Sequence, residues 1–286
     1  MEAFSRPAES PAEERPDAAL LQRARQGDAT ALDQLLRRYQ ASLMRYSLRM
    51  CGGDEEDAKD VLQESLMSAA RHLGGFRGDA KLSTWLFTIA RRFCLRKRSR
   101  HAPRGVQSVA LAESELEHPG PAPEQALATR ELLNALEEAL RNLDPLNREI
   151  LVLRDVEGLK AREVAEVVGM GEAQIKSRLH RARVAIRSAI GTSLSDAPAL
   201  QGADALAESC PDIEQAFSRF LEGEVGPEMC TELQHHVDKC ARCRGACEGI
   251  KQVLAVCRAL PAPEVPEALQ ESIRSAMKAE LAKAER

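Results

Sequence analysis

Apolar residues spaced three and four apart run through most of this chain, and strict alternation is found nowhere. The clearest stretch is "DEEDAKDVLQESLMSAARHL" (54–73), where Leu62, Leu66, Ala69 and Leu73 form one stripe. Its acidic start complements the positive end of a helix dipole. "FRGDA" interrupts the pattern with a glycine turn, and "KLSTWLFTIARRFCLRKR" resumes it through Leu82, Leu86, Ile89 and Phe93. A second helical unit is expected from about 125 to 192, with Asp144 before Pro145 forming an N-cap and first-turn pair. At the end of the chain, Leu269, Ile273, Met277 and Leu281 line up on one more amphipathic helix. The pattern predicts an all-α protein.

Between the periodic stretches the composition changes. The first 19 residues are rich in Pro, Ala and Glu and are expected to be disordered. "RHAPRG" and "EHPGPAPE" mark a linker over 99–124, and "GTSLSDAPALQGADA" marks a second over 193–207. The organisation expected is therefore two small helical domains (20–98 and 125–192), a cysteine-rich module (208–260) and a final helix (261–286).

At 286 residues the chain is long enough for two or three small domains, and 3% aromatic residues favours small helical units over one large sheet. Its net charge of −4 is uninformative, but the distribution is not. "RRFCLRKRSRHAPR" and "KSRLHRARVAIR" are strongly basic, whereas "GGDEEDAKD" is acidic. The opening residues lack the apolar stretch of a signal peptide and no long apolar run follows, so a cytoplasmic, non-membrane protein is expected. In a reducing compartment the eight cysteines read as thiols or metal ligands, not as a disulfide framework. Cys51 and Cys94, set apart from the rest, read as small buried apolar residues.

"LKAREVAEVVGMGEAQIKSRLHRARVAIRSAI" has the form of a helix-turn-helix. Val164, Ala165 and Val168 face inward on a short helix, Gly169 permits the turn, and Ile175, Leu179, Ala182 and Ile186 are the buried stripe of the next helix. The opposite face offers Gln174, Ser177, Arg178 and Arg181, with Lys176 and Arg183 at its margins. Arg can fork onto guanine, and Ser or Gln can reach bases or phosphates in a major groove. A solvated basic face on an ordinary helical hairpin would show the same pattern.

"DAKDVLQESLMSA…FRGDAKLSTWLFTIARR", followed by "LDPLNREILVLRDVEGLKAREVAEVVGM…IKSRLHRARVAI", resembles the two domains of extracytoplasmic-function (ECF) sigma factors over residues 20–190. The resemblance implies a subunit that brings bacterial RNA polymerase core to promoter DNA. By that likeness Asp57, Asp60, Gln63 and Glu64 dock on the polymerase, where complementary charge steers association. The loop from Arg77 to Ser83, with Lys81, Ser83, Thr84, Thr88, Arg91 and Arg92, meets the −10 element. A glycine-containing loop beside basic groups suits the capture of unstacked bases. Trp85 could stack on a base, although its neighbours Leu82, Leu86 and Ile89 favour burial. The helix-turn-helix reads the −35 element through Gln174, Lys176, Ser177, Arg178 and Arg181.

The cysteine module resembles the zinc-binding anti-sigma domain, whose ligand pattern is an upstream Cys or His followed by H-x3-C-x2-C. Here those residues are Cys210, His236, Cys240 and Cys243, and "FLEGEVGPE" matches the loop between that domain's first two helices. One imidazole and three thiolates suit a closed tetrahedral site of the structural-zinc type, with no open position for hydrolytic chemistry. Cys230, Cys247 and Cys257 are additional. They read either as ligands for a sensed thiophilic ion (Zn²⁺, Cd²⁺ or copper) or as buried residues. His235 reads as a surface residue beside the ligand His236.

Sigma factors with a fused cysteine-rich C-terminus form the CorE-type metal-responsive group, which this chain resembles. The function expected is a non-enzymatic transcription initiation factor that binds RNA polymerase core and promoter DNA. Its activity would be controlled by its own metal-binding domain, with no separate anti-sigma factor required. A thiol redox switch around a structural zinc, and a DNA-binding regulator that never joins polymerase, are the alternatives.

Overall fold

The structure, a computed structural model, describes residues 17–101, 123–191, 210–261 and 263–284. Most of the N-terminal segment and of both expected linkers lies outside these residues. The described chain is helical throughout, with no β-strand. No helix among the described residues is long and apolar enough to cross a membrane. The contacts divide it into two compact units. One gathers α1–α4 and, from the far end of the chain, α12; the other runs from α5 to α11 apart from residues 166–169.

The first unit comprises α1 (Asp17–Arg25), α2 (Ala29–Met50), α3 (Glu55–His72), a 3₁₀ turn (Leu73–Gly75), α4 (Leu82–His101) and α12 (Glu267–Ala284). Asp28 caps α2 by accepting from the Thr30 and Ala31 amides, and Asp54 caps α3 by accepting from Asp57. The predicted stripe of α3 is inside: Leu62, Leu66, Ala69 and Leu73 are all buried. They join Leu32, Leu35, Leu36 and Leu43 of α2 and Leu86 of α4 in the core. Tyr46 and Phe87 meet edge to face at 5.4 Å between ring centroids. Trp85 is half-buried, with its ring 5.1 Å from that of Phe76.

Helix α12 packs mainly on α3 and also on α2. It buries Ile273 and Met277, two of the four residues of its predicted stripe; Leu269 is half-buried, and the side chain of Leu281 lies outside the described residues. Polar contacts fix its register: Arg37 of α2 donates to Gln270 Oε1 at 3.0 Å, and Arg274 lies 3.5 Å from Asp33.

The second unit begins with α5 (Pro123–Asn142) and α6 (Pro145–Leu151), which runs on into a π-helical turn (Val152–Val156). Asp144 caps α6 ahead of Pro145, as the sequence predicts. Then come α7 (Ala161–Val168), α8 (Glu172–Gly191), α9 (Ile213–Leu221), α10 (Pro227–Lys239) and α11 (Ala241–Ala259). Gly169 takes φ +77 in the turn between α7 and α8, a conformation open to glycine and strained for most residues. Ile175, Leu179, Ala182 and Ile186 of α8 are fully buried. The cysteine module does not stand apart: α9 and α11 pack against α8. Where α11 crosses α8, the Arg187 side chain occupies the space a Cβ at Gly249 would take, with Cδ 2.8 Å from it.

The joint between module and helix-turn-helix is a buried charge network. Arg183 of α8, its side chain only 1% exposed, donates to both Asp155 carboxylate oxygens at 2.8 and 2.6 Å and to Glu222 Oε1 at 3.0 Å. Glu222, in the loop after α9 and 4% exposed, also accepts from Arg154 at 3.0 Å. Outside this centre, His180 Nδ1 sits 3.2 Å from Ser218 Oγ, and Arg187 pairs with Glu214. The sequence pattern places Arg183 at the margin of the DNA-facing side; the structure corrects this, because a guanidinium held by two carboxylates inside the protein cannot reach DNA.

Removing one partner of a buried ion network leaves the others uncompensated, so Glu222→Ala should cost about 3 kcal/mol of stability. Glu224→Ala, at a partly exposed pair in the same loop, should cost under about 0.5 kcal/mol. Thermal unfolding of the full chain distinguishes the two variants.

Candidate functional site

The module brings four predicted ligands together. Cys210 precedes α9, His236 lies in the last turn of α10, Cys240 ends α10 and caps α11, and Cys243 lies in the first turn of α11. Their ligand atoms all fall within 4.8 Å of one another. The Cys210 and Cys240 sulfurs are 3.9 Å apart, and His236 Nε2 is 3.2 Å from Cys243 Sγ. A tetrahedral zinc with Zn–S bonds of ~2.3 Å has S···S edges of ~3.8 Å, so the donor set and its spacing both fit a structural zinc ion. No disulfide joins any of the eight cysteines.

The local fold builds this convergence. The His-x3-Cys spacing keeps both ligands at one helix end, and the Cys240 amide donates to the His236 carbonyl at 2.9 Å. Arg244 of α11 reaches back to the Val237 carbonyl at 3.3 Å and to the Asp238 carbonyl, pinning the end of α10 to the start of α11. Cys240 lies at the N-terminus of α11, where the backbone N–H of Cys243 above all holds its thiol below the ordinary range. Burial, together with the neighbouring sulfurs of Cys240 and Cys210, pushes the Cys243 thiol up to about 12. A bound cation would favour the thiolate at both positions.

The other three cysteines lie outside the cluster. Cys247, one turn beyond Cys243, is fully buried among Ile213, Phe217, Ile250 and Leu254, and burial pushes its thiol up to about 12. Cys257 is fully buried near the end of α11. Cys230 is half-buried at the start of α10, its thiol 3.9 Å from the Val225 carbonyl. His235 is exposed, one residue from the ligand His236.

On α8, Gln174, Ser177 and Arg181 are exposed on one face with the module in place. Gln174 Oε1 also accepts from the Gly171 amide at 3.4 Å, tying this face to the helix start. Arg178 is half-buried and donates to Asn147 Oδ1 at 3.0 Å, with Asp144 3.9 Å away. Lys176 lies 2.6 Å from Glu172 of its own helix and 2.8 Å from Glu224 of the module, and the two carboxylates raise its pKa.

In the first unit, the acidic positions of α3 are met by the basic end of α4. Lys97 bridges Asp57 at 2.9 Å and Asp60 at 2.6 Å, which raises its pKa, and Arg96 lies 4.0 Å from Glu64. Asp60 and Glu64 are exposed; Asp57 and Gln63 are half-buried. Of the residues predicted to meet the −10 element, Lys81 and Arg92 are exposed, while Ser83, Thr88 and Arg91 are half-buried. Thr88 donates to the Thr84 carbonyl at 2.8 Å. Thr84 is only 2% exposed and its hydroxyl is buried, so it packs inside and presents nothing to DNA.

Residue patterns did not single out Asp155, Glu222, Glu224 or Lys97. A signal was present for three of them: a lone acid, Asp155, in the apolar run "ILVLRDV", and carboxylates at alternate positions of "LEGEV", Glu222 and Glu224.

Residues 35–104 match the family model described as Sigma-70 region 2, residues 133–186 match Sigma-70, region 4, and residues 210–244 match Putative zinc-finger. The ECF RNA polymerase sigma factor SigM of Mycobacterium tuberculosis is 35% identical over 178 residues, covering 62% of this chain and 86% of that protein. The RNA polymerase sigma-H factor of Pseudomonas aeruginosa is 31% identical over 188 residues, covering 63% of this chain and 97% of that protein. Among solved structures, the sigma factor RpoE in complex with the anti-sigma factor NepR from Bartonella quintana superimposes with a TM-score of 0.45 at 26% identity, over 55% of this chain and 95% of that one.

The full chain should bind one Zn²⁺. Cys240→Ser or His236→Ala should lower its affinity at least tenfold, whereas Cys230→Ser and Cys257→Ser should leave it within about twofold. Competition with a chromophoric chelator reads both.

Proposed function

The chain belongs to the ECF RNA polymerase sigma factors, and from that premise we propose that metal binding to its own C-terminal module controls when it works. Sigma factors initiate transcription by binding, not by catalysis, so the control has to act on access to polymerase core or promoter DNA. In this reading α3 presents Asp57, Asp60, Gln63 and Glu64 to polymerase. Lys81, Ser83, Thr88, Arg91 and Arg92 meet the −10 element, and α8 reads the −35 element.

What supports regulation from within is the placement of the C-terminal residues. The module packs on α8, and α12 packs on α2 and α3, the latter being the helix that carries the docking positions. Both are parts of the same polypeptide, so they act at high effective concentration and take the place of a separate anti-sigma factor. Cys210, His236, Cys240 and Cys243 hold the metal, Zn²⁺ by donor type, and Cd²⁺ or copper competes through the same thiolates. A change at the metal centre shifts α11 and, through residues 260–266, the hold of α12 on α3. A few kcal/mol of differential metal affinity suffices for such a shift.

A redox reading draws on one distance. The Cys210 and Cys240 sulfurs at 3.9 Å are near enough for oxidation to join them after a small movement, which would remove two ligands.

Run-off transcription with purified core polymerase and this chain alone tests the proposal, with titration of Zn²⁺, Cd²⁺, Cu²⁺ and Cu⁺ under reducing and oxidising conditions. A several-fold metal-dependent change, lost in Cys240→Ser, is expected. Truncation after residue 260 should raise affinity for core polymerase several-fold. Output unchanged by every metal, by oxidation and by Cys240→Ser would leave the zinc purely structural.

A further inference from the structure

The loop joining α9 to α10 places two carboxylates on the helix-turn-helix, and they occupy different environments. Glu222 is buried between Arg154 and Arg183 and fixes the loop. Glu224, two residues on, is about one-third exposed (35%) and reaches Lys176 at 2.8 Å, with Arg219 at 3.7 Å on its other side. Arg187 of α8 pairs with Glu214 of α9, and the helix's other four cations are distributed unevenly. Arg183 is buried, Arg178 is held by Asn147, Arg181 is exposed, and Lys176 is shared between Glu172 and the module's Glu224.

We propose that Glu224 is a built-in competitor for DNA phosphate: it holds Lys176 while the module is seated on α8 and so weakens DNA binding without covering the base-reading residues. The inference rests on the reading of α8 as the DNA-contacting helix, and it goes beyond that reading by assigning a function to the acidic loop. The module leaves Gln174, Ser177 and Arg181 exposed to solvent, so it does not act by burying these side chains. The effect is electrostatic. A lysine beside the reading face adds one phosphate contact and releases counterions when free, and a carboxylate in that position both occupies the lysine and repels the phosphate. Glu172 lies on α8 itself and sets a constant background.

The module's own architecture makes this competitor adjustable. The loop lies between α9, whose N-terminal end follows Cys210, and α10, whose C-terminal end carries His236. The metal therefore ties together the far ends of the two helices that hold Glu224, and the charge facing Lys176 depends on how those helices are held.

The test is binding of the full-length chain to a mixed-sequence DNA duplex, followed by fluorescence anisotropy over a range of salt. Glu224→Gln should bind about two- to fivefold tighter at low salt, with a salt dependence steeper by about one released ion. In a Lys176→Gln background the same change should give no gain, and Glu224→Asp should retain part of the attenuation. Arg181→Ala should weaken binding in either background. Glu224→Gln binding like the parent while Arg181→Ala weakens it would overturn the competitor role alone. An equal gain with and without Lys176 would reduce the effect to general charge and overturn the pairing. No effect of Arg181→Ala would overturn the reading of α8 itself and the proposal with it.

Discussion

A buried guanidinium has to find opposite charge close by, and Arg183 finds it from two sources. Asp155 comes from the helix-turn-helix unit and Glu222 from the module beyond the second linker segment. With Arg154 the network holds two cations and two anions, so it is neutral as a whole although two of its members are 2% and 1% exposed. Separating module from helix would return Glu222 to water while α8 kept a cation with one carboxylate fewer. That cost makes the module part of the folded helix-turn-helix unit, not a flexible appendage. It also fixes the rotation of α8 about its axis, because Arg183 turned inward is what turns Gln174, Ser177 and Arg181 outward.

The metal centre is the second constraint, and it acts on a unit too small to fold well alone. The module's helices bury Phe217, Phe220, Val237, Ile250 and Leu254 in one cluster, but a core of that size gives little margin. Two devices supplement it: four ligands that tie the start of α9, the end of α10 and the start of α11, and the packing of α9 and α11 on α8. α9 spans nine residues, or about 13 Å of helix, so the ligand cluster at one end and Glu222 at the other are opposite ends of one short lever. Ligand loss would loosen the same helices that carry the latch.

Much of this was legible in the sequence, because helical stripes, caps and ligand spacing are local. Leu62–Leu66–Ala69–Leu73, Ile175–Leu179–Ala182–Ile186 and the Asp144–Pro145 start all follow from patterns within a few turns, and so does His236-x3-Cys240-x2-Cys243. What was not legible depends on partners distant in sequence. Arg183 at the edge of an apolar stripe looks the same whether it meets water or Asp155 and Glu222. Thr84 looks like a surface hydroxyl until α4 is packed. Cysteine is ambiguous by nature, since Cys247 and Cys257 suit a core as well as they suit a metal. The grouping of α12 with α1–α4, and of the module with α5–α8, is long-range information that periodicity does not contain.

The two ends of the C-terminal region differ in the kind of hold they have, and that difference decides which is free to move. The module is held by a buried ionic network, several packed helices and the clustered side chains of Cys210, His236, Cys240 and Cys243. Helix α12 is held by Ile273, Met277 and a few polar contacts at its surface. Burying two such side chains contributes about 3–6 kcal/mol before the entropy of ordering the helix is subtracted. The net is small enough for binding of a large partner to reverse, whereas displacing the module would break the Arg183 network as well. Of the two contacts, α12 on α2 and α3 is therefore the weaker hold and the one suited to exchange, whereas the module is suited to stay on α8.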